Sequence, residues 1–432
     1  MLPMTQTATP ASTDVSWLTR QVLLISFSAC CADLGYQAVL AIFPLFLVIT
    51  LHAPIWLFAV ATAISYGPGA FFGVLGGKLG DRWGHKPVAL GGNLLIPLLS
   101  LSGLAAVPAA AIALFSGGWW ARNFRSPPRR AMMSQATSAE NRGRAFGFLH
   151  ALDIGGGFLA ATATMLLLWA GTPLRNIFLI TIVPLLISSL ILAFTRGQAP
   201  ESKVEEKPKG AGQSAPEHQA AGALREPPTG NQNPETLPQH RPLYRRLLLA
   251  TALYGFSSFS FGFPILTVYQ RWHSRPMAVL AYVVFFGISA LTGLYIGRSI
   301  KGSVKTLALG GYLAGGVGTA GLAVLWATDI NPLAFYPVVG LMGLSLGVIE
   351  TLEPTILSLI VRRGRTGAGM GALTATRSLG LFLANLIMGL LYYCGATWIW
   401  SYGYAALLAI VAAVILLSPA TDLCYNNELS RW

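Results

Sequence analysis

The chain has 432 residues, of which 54% are hydrophobic and only 10% are charged. Soluble domains carry about 25% charged residues, so this composition excludes an ordinary soluble enzyme. The net charge of +13 does not indicate nucleic-acid binding, because the Lys and Arg residues stand between long apolar runs instead of clustering on one soluble face. The four Cys residues have neither metal-ligand spacing nor the density of a disulfide scaffold. We therefore expect no metal site and no cofactor.

Twelve apolar runs follow one another along the chain, each close to the roughly 20 residues that a membrane-spanning helix needs. The first 19 residues contain no Lys or Arg, so the basic region of a cleavable signal peptide is missing and the first run should remain as a span. The sequence predicts an all-α membrane protein. The predicted spans lie near residues 20–50, 56–78, 88–107, 109–128, 145–170, 176–195, 246–269, 277–297, 305–327, 333–360, 367–393 and 396–418.

Residues 197–243 differ from the rest of the chain. They are rich in Pro, Glu, Lys, Gln and Gly and almost free of aromatic residues, so they cannot bury enough surface to offset the entropy of ordering. They are predicted to form a disordered cytoplasmic linker that divides the spans six and six. The bundles then occupy 20–196 and 244–418, with cytoplasmic tails at 1–19 and 419–432.

The cations alternate between the two sides of the predicted membrane. With the N-terminus in the cytoplasm, the predicted cytoplasmic segments hold nearly all of the 29 Lys and Arg residues, and the opposite connections hold only Arg175, Arg271 and Arg275. Cytoplasmic loops of membrane proteins carry such an excess of Lys and Arg. The pattern predicts that both termini lie in the cytoplasm.

Two pairs of segments repeat between the halves of the chain. Lys86–Leu94 at the third span matches Lys305–Leu313 at the ninth in six of nine positions. In the fifth and eleventh spans, Gly147–Phe158 and Gly371–Phe382 match in their small and aromatic residues. Because both pairs fall in corresponding spans, we interpret the two six-helix bundles as a pseudo-symmetric duplication.

A signature segment joins the second and third spans: Gly77–Lys86 reads GKLGDRWGHK. It resembles the signature loop of the major facilitator superfamily, in which a Gly-x-Leu-x-Asp-Arg-x-Gly core precedes basic residues; His85 stands where the family usually has Arg. The resemblance covers nearly the whole chain and implies two six-helix bundles with alternating access. It assigns a conformational latch to Gly77, Asp81, Arg82, Gly84 and Lys86.

Further segments are similar to bacterial members of that family that export drugs or other small molecules. These segments are Arg125–Ala131, Asn141–Gly147 with Asp153, and Asp33–Gln37, where Gln37 replaces an acid of the family pattern. The resemblance implies proton-coupled efflux of a small amphipathic molecule from a bacterium, through a multi-pass protein of the plasma membrane, which is the inner membrane in a Gram-negative cell. We expect a monomer.

Ionisable residues inside spans are costly, so each is a functional candidate. At 1.5 Å per residue, Asp33 lies about 20 Å, Asp153 about 13 Å and Arg377 about 16 Å from the cytoplasmic start of its span. All three are central. For Arg122, Arg125 and Glu353, which lie closer to the cytoplasm, we expect snorkelling to the interface instead.

The proton site is predicted at the central carboxylates. Asp33 has only Gln37 one turn away, and a carboxylate without a fixed cation is protonated more readily, so we assign Asp33 as the proton carrier. Asp153 is then a gating or substrate-contacting residue, and His150, one turn earlier on the same face, is a candidate relay. A structural ion pair and a packed polar histidine remain the alternatives.

The substrate cavity is predicted from Gln37, Glu350, Arg377 and Arg122. Arg377 needs a partner, and we expect Glu350 on the preceding span or Asp33 or Asp153 across the cavity. The aromatic residues of the seventh span surround its helix, which is more typical of packing than of a binding site. They are Tyr254, Phe256, Phe259, Phe261, Phe263 and Tyr269.

Asp81 is expected to act as a latch on the N-terminus of the eleventh span, where Gly367, Ala368, Gly369 and Gly371 permit close approach and the helix dipole favours a carboxylate. No nucleotide-binding loop accompanies a soluble domain, so either an ion gradient or the substrate's own gradient should drive transport, and the central carboxylates favour protons as the coupling ion. The expected partners are a small-molecule substrate, protons and the lipid bilayer, with no nucleic acid. An importer or facilitator on the same fold, or a membrane sensor that transports nothing, remain the alternatives.

Overall fold

The computed structural model describes residues 17–138, 141–196, 241–299, 303–328, 331–360, 366–395 and 398–418. All regular structure in these ranges is helical, in agreement with the all-α prediction. Nearly all of the predicted linker and most of both predicted tails lie outside the described residues.

The N-terminal half begins with a capped helix, since the Thr19 hydroxyl accepts a hydrogen bond from the backbone N–H of Val22 at 3.3 Å. Pro108 stands in the first turn of another helix, where its missing N–H costs nothing. The helices of this half are α1 (Arg20–Leu45, continued by a π-helical turn at Phe46–Thr50), α2 (Ile55–Trp83), α3 (His85–Leu95), α4 (Leu98–Leu101, continued by a 3-10 turn at Ser102–Leu104), α5 (Pro108–Gln135), α6 (Arg142–Trp169), α7 (Leu174–Ile180) and α8 (Ile182–Ala193).

The C-terminal half repeats this order of long and interrupted helices. Its helices are α9 (Arg241–Ser257), α10 (Gly262–Trp272), α11 (Arg275–Ser299), α12 (Val304–Thr306, continued by a π-helical segment at Leu307–Leu313), α13 (Ala314–Ala327), α14 (Phe335–Ile360, preceded by a 3-10 turn at Pro332–Ala334), α15 (Thr366–Tyr393) and α16 (Trp398–Leu417).

Eleven helical stretches in the described residues are long and apolar enough to cross a membrane. The prediction had twelve spans, and the remaining long helix is α5, with 28 residues. Polar residues such as Arg122, Asn123 and Arg125 interrupt its apolar sequence. These side chains are tolerated because they pack inside the protein, as described below.

The segment predicted as a loop between the second and third spans is mostly helical. α2 continues to Trp83 and α3 begins at His85, so the predicted boundaries at 78 and 88 are wrong by several residues. The joint is Gly84 alone, whose φ of 94° is rarely adopted by other residues. This glycine lets two long helices meet in a sharp turn.

The seventh predicted span is broken where the sequence predicted one continuous helix. α9 ends at Ser257 and α10 begins at Gly262. The backbone N–H of Ser260, inside the break, donates to Oδ1 of Asn385 on α15 at 3.2 Å. A side chain of another helix thus replaces a helical hydrogen bond, as buried backbone groups require.

Three hydrophobic cores show how the halves meet. One contains buried residues of both halves, such as Phe58 of α2 and Phe263 of α10. A second lies in the C-terminal half alone, around residues such as Leu247, and a third in the N-terminal half alone, around residues such as Ile25. The halves therefore share a core at one end and have separate cores at the other.

The end with separate cores is called the basic end here, because Arg82, Lys86 and Arg144 lie there. The end with the shared core is the opposite end. Contacts between the halves at that end include Phe58, which packs edge-on against Phe263 at 5.1 Å, and Trp56, which packs against Tyr393 at 5.8 Å. Between the two halves, toward the basic end, this leaves room for a cavity.

Candidate functional site

Two carboxyl groups meet where α1 packs on α6. Asp33 of α1 is 2% exposed, and its carboxyl group lies close enough to that of Asp153 on α6 for the two to interact electrostatically. The helices approach closely because Gly156 has no side chain: an added Cβ would lie 2.6 Å from the carbonyl oxygen of Cys30. Two neighbouring carboxylates repel each other, which favours a proton on one of them. The sequence treated these residues as separate sites, and the structure brings them together.

Buried arginines of α5 surround this pair. Arg129 donates from Nη2 to Oδ2 of Asp153 at 3.4 Å. Arg125 donates from Nη1 to Oδ1 of Asn93 on α3 at 2.6 Å. The amide of Asn93 in turn donates to Ser189 at 2.8 Å, which fixes its orientation. Arg125 is only 1% exposed, so the expectation that it snorkels to the interface is wrong.

Arg122 is half-buried and also turns inward. It donates from Nη2 to the Tyr36 hydroxyl at 3.3 Å, and its guanidinium lies 5.0 Å from the ring centre of Trp119. These contacts with aromatic faces hold the cation inside the bundle, so its predicted snorkelling is wrong as well. Among the described residues, Arg122 forms no ion pair with a carboxylate.

The predicted relay from His150 is not formed in this structure. His150 is exposed, and the described ion pair of Asp153 is made with Arg129. Helical spacing placed the two residues on neighbouring positions of one face, but His150 turns outward while Asp153 turns toward α1 and α5.

In the C-terminal half, one arginine is held by two glutamates. Arg377 of α15 donates from Nη1 to Glu350 and from Nη2 to Glu353, both on α14. Oε1 of Glu353 also accepts hydrogen bonds from the Tyr312 hydroxyl and, at 3.4 Å, from that of Thr251. The predicted contact of Arg377 with Glu350 is present, and its contacts with Asp33 and Asp153 are not. Glu353 is fully buried, so its predicted snorkelling is wrong.

The two clusters occupy equivalent positions of the repeat. Arg129 and Glu353 are 224 residues apart, as are Asp153 and Arg377. Each half thus carries an ion pair at these equivalent positions, but the acid and the base have exchanged places. The geometry of the repeat is retained while its charges are reversed.

A cavity of about 270 Å³ lies beside the C-terminal cluster. Three aromatic residues of the broken seventh span line it, Tyr254, Phe259 and Phe261. Phe259 and Phe261 also pack against the shared core. Phe263, by contrast, is fully buried in the shared core. The other lining residues are Ser257, Ser258, Phe285, Gly315, Thr319, Met342, Leu346, Ile349, Glu350, Arg377 and Leu381.

Polar contacts between the halves lie on the opposite-end side of this cavity. The Tyr282 hydroxyl of α11 donates to Oε1 of Gln37 at 2.9 Å, so Gln37 joins the halves. The Thr62 hydroxyl of α2 donates to Oδ1 of Asn385 at 2.9 Å. Asn385 therefore connects α2 with the break between α9 and α10. Sequence analysis missed Tyr282, Thr62 and Asn385, because single uncharged polar residues in apolar runs carry little signal.

The predicted latch residues lie at the basic end. Asp81 is 77% exposed, with Oδ1 3.8 Å from Nε2 of His85, and Arg82 is also exposed. Gly77 belongs to α2, and Lys86 follows the Gly84 joint in α3. The expected contact of Asp81 with residues 367–371 concerns positions whose surroundings lie outside the described part of the chain.

The described residues contain no group of three or more His, Cys, Asp or Glu side chains that could hold a metal ion. The ionisable residues of the site pair with each other instead. Their arrangement suits the exchange of protons and the binding of a charged or polar molecule.

Comparison with known proteins identifies the family and the fold. A family model described as Major Facilitator Superfamily matches residues 25–297. No curated protein is significantly similar in sequence. The peptide transporter POT in complex with sulfate has a TM-score of 0.68 at 15% identity, covering 94% of this chain and 95% of its own. The nucleoside transporter NupG, in a variant with one aspartate replaced by alanine, has a TM-score of 0.68 at 11% identity, covering 92% of this chain and 99% of its own. The POT family transporter PepTSo has a TM-score of 0.67 at 15% identity, covering 94% of this chain and 98% of its own. At these identities the likeness is one of fold.

Proposed function

Because the chain belongs to the Major Facilitator Superfamily, we propose that it exports a small amphipathic molecule across a bacterial plasma membrane in exchange for protons. The chain is a multi-pass membrane transporter and not an enzyme. Its two halves alternate between opening at the basic end and opening at the opposite end. Export is supported by the exporter-like segments Arg125–Ala131 and Asn141–Gly147.

We propose that α5 is the twelfth span and that both termini lie in the cytoplasm. The six-helix bundles then occupy 20–196 and 244–418, joined by the cytoplasmic linker 197–243. The cations of the basic end support this orientation, since such residues accumulate on the cytoplasmic side. The separate cores at the basic end correspond to a cavity open to the cytoplasm, which makes this the inward-facing state.

The contact between Asp33 and Asp153 carries the proposal of proton coupling. Asp33 is buried, the side chain of Asp153 is 27% exposed, and Arg129 and Arg125 lie close by. We infer that the two carboxyl groups share one proton. Loss of that proton leaves two adjacent negative charges, which these arginines stabilise. A shift of the helices that moves the arginines away returns the proton to the pair. The protonation state can thus follow the conformation of the N-terminal half.

In the transport cycle, the inward-facing state releases the proton to the cytoplasm and binds substrate. The outward-facing state releases substrate and takes up a proton. We retain Asp33 as the carrier, because Asp153 already has an ion pair with Arg129. Asp153 positions the proton on Asp33. Its ion pair with Arg129 links the protonation of the two carboxyl groups to the packing of α6 on α5.

Reconstituted vesicles test this assignment. A panel of dyes and metabolites is first screened for uptake driven by an imposed proton gradient, and the gradient direction that drives accumulation distinguishes export from import. Asp33→Asn should keep substrate exchange in counterflow, which needs no net proton movement, and lose gradient-driven accumulation. Arg20→Gln, an exposed substitution at the start of α1, serves as the control. Accumulation that survives in Asp33→Asn but is lost in Asp153→Asn would reverse the two roles.

A further inference from the structure

The cavity beside Arg377 is built entirely by the C-terminal half. Its lining comes from α9, the break before α10, and α11, α13, α14 and α15. Aromatic side chains form one part of it: Phe259 and Phe261 from the break and Phe285 from α11, with the rings of Phe261 and Phe285 centred 4.2 Å apart. Such a surface suits the apolar body of a small molecule, and aromatic faces also attract cations.

Glu350 supplies this cavity with a carboxylate oxygen that the protein leaves without a hydrogen bond. Its side chain is 41% exposed, and Oε1 accepts from Arg377, whereas Oε2 forms no hydrogen bond with the residues that the structure describes. Arg377 also pairs with the fully buried Glu353, so two carboxylates share one guanidinium. Arg130 acts on Glu350 electrostatically but forms no ion pair with it within the described ranges. Glu350 can therefore accept a hydrogen bond from a second cation.

Arg377 also lines the cavity, but its charge is already engaged. Nη1 faces Glu350 and Nη2 faces Glu353, and Nε is buried. An anion in the cavity would lie beside the carboxylate of Glu350, which repels it. The charge that this cavity offers to a ligand is therefore negative.

Thr319 of α13 offers a second polar group. It lines the cavity and is 6% exposed, and its hydroxyl forms no hydrogen bond with any described residue. A helical threonine commonly donates to the carbonyl four residues earlier, as Thr267 does to Phe263. A buried hydroxyl without a partner is costly, so a polar group of a ligand would stabilise it.

The packing of α13 on α14 sets the spacing of these two polar groups. An added Cβ on Gly318 of α13 would lie 2.8 Å from Met342 of α14. Because the two helices are antiparallel, the next residue, Thr319, is level with Leu341. Glu350 lies nine residues further along α14, which is about 13 Å of helix. Helical side chains tilt toward the N-terminus of their own helix, so these two lean toward each other and shorten the gap to the length of a small extended molecule.

We propose that the substrate is a small amine, protonated at one end and carrying a neutral polar group at the other. Its ammonium group donates to Oε2 of Glu350, its apolar body packs against Phe261 and Phe285, and its polar group bonds to the hydroxyl of Thr319. The cavity volume of about 270 Å³ is slightly below the roughly 300 Å³ at which pockets for drug-sized ligands begin, which favours a small molecule. This inference rests on the proposed transport function and names the class of molecule that the transporter accepts.

Equilibrium binding to the purified full chain in detergent tests the proposal. The probes are 4-hydroxyphenyl derivatives of ethylamine, propylamine and butylamine, which vary the distance between the two polar ends. At neutral pH their amines are protonated and their phenols are neutral. Each is compared with its N-acetyl derivative, which is uncharged, with the amine that lacks the hydroxyl, and with the 4-hydroxyphenyl carboxylic acid of the same chain length, which is an anion.

At least one hydroxylated amine should bind about tenfold or more tightly than its N-acetyl derivative, because a hydrogen bond to a charged group is lost in the latter. It should bind roughly threefold or more tightly than the amine without the hydroxyl, because that hydrogen bond is between neutral groups. The carboxylic acids should bind more weakly than the amines.

Two variants assign the two ends of the molecule. Glu350→Gln should remove the preference for the amine over its N-acetyl form and keep the preference for the hydroxyl. Thr319→Val, which keeps the shape of the side chain, should do the reverse. Thr328→Val should change neither, because that hydroxyl lies at the end of α13 outside the cavity and is bonded to the carbonyl of Val324. Thermal unfolding shows whether each variant is folded.

Equal binding of the amines and their N-acetyl forms, tighter binding of the acids, or no binding of any hydroxylated amine overturns the proposal. A preference that survives in the variant designed to remove it does so as well. No proton gradient is present in this experiment, so a failure here concerns the substrate class, whereas a failure in the vesicle experiment concerns coupled transport.

Discussion

The two halves place an ion pair at equivalent positions but differ in how fully its charges are matched. In the N-terminal half, Asp153 has a second carboxyl group beside it, that of Asp33. In the C-terminal half, Arg377 contacts two glutamates, Glu350 and Glu353. Duplication has retained the packing and separated the tasks: we expect the first cluster to change its protonation and the second to keep its charges fixed.

The largest effect is expected from breaking the fixed cluster. Arg377→Ala leaves Glu353 fully buried without a cation, which should reduce the free energy of unfolding by about 3–5 kcal/mol and abolish transport. Arg377→Lys keeps the charge but loses the two-pronged contact, so a little transport should remain. Thermal unfolding in detergent and vesicle transport measure both effects.

Removal of the arginine from the other ion pair provides the control. Arg129→Ala should cost less stability, because its partner Asp153 is 27% exposed and can take up a proton beside Asp33. A larger loss from Arg129→Ala than from Arg377→Ala would contradict the contrast between a fixed and an exchangeable cluster.

The next effect concerns the residues that orient the two clusters, Asn93 and Tyr312, which are equivalent in the repeated segments of α3 and the π-helical segment. Asn93→Leu removes the described acceptor of Arg125, a buried cation, and should cost about 1.5–3 kcal/mol of unfolding free energy. Tyr312→Phe removes one of several hydrogen bonds to Glu353 and should cost about 1 kcal/mol. Equal losses would show that the two orienting residues have equivalent roles after all.

Two glycines test whether packing is symmetrical where charge is not. Gly156 lies against the backbone of α1 at Cys30, and Gly380 lies against that of α9 at Gly255. Replacing either with Ala should lower unfolding free energy by a similar amount, about 1–3 kcal/mol, because the helices must separate.

Gly155→Ala and Gly403→Ala are the matched controls for these substitutions. An added Cβ meets nothing within 4 Å at either position, so both should be neutral or slightly stabilising in a helix. A loss confined to one of Gly156→Ala and Gly380→Ala would show that the halves also differ in packing.

The smallest effect on stability is expected from Asp81→Asn. The carboxylate is 77% exposed and 3.8 Å from His85, and such surface contacts contribute little. Its proposed role as a latch concerns the outward-facing state, so the variant should cycle more slowly and spend more time open to the cytoplasm. Spin-label distances across the basic end measure these populations, and a large loss of substrate affinity with unchanged distances would contradict the latch.

Much of the architecture was predictable because spans and their order follow from long apolar runs. The signature from Gly77 to Lys86 indicated the family, and the equivalence of Asp153 and Arg377 was visible in the repeat. The contact of Arg377 with Glu350 also followed from the need to pair a cation inside the membrane. These features depend on composition and local spacing alone.

The parts that could not be predicted depend on which way a side chain turns. Arg125 and Glu353 lie near the ends of their predicted spans, so sequence position alone favoured the interface, but Asn93 and Tyr312 hold them inside. His150 has the right spacing and the wrong direction. The contact of Asp33 with Asp153 joins residues 120 positions apart, and no local pattern specifies it.

The break at residues 258–261 has a consequence for how this transporter can diversify. Asn385 from another helix holds the interrupted backbone. Residues Ser258, Phe259 and Phe261 therefore do not need to be helix-forming residues. Substitutions there change the cavity lining without disturbing the glycine contacts that hold α6 on α1 and α15 on α9. We therefore expect related chains to differ in this segment of the cavity lining more than in the buried charges of the two clusters.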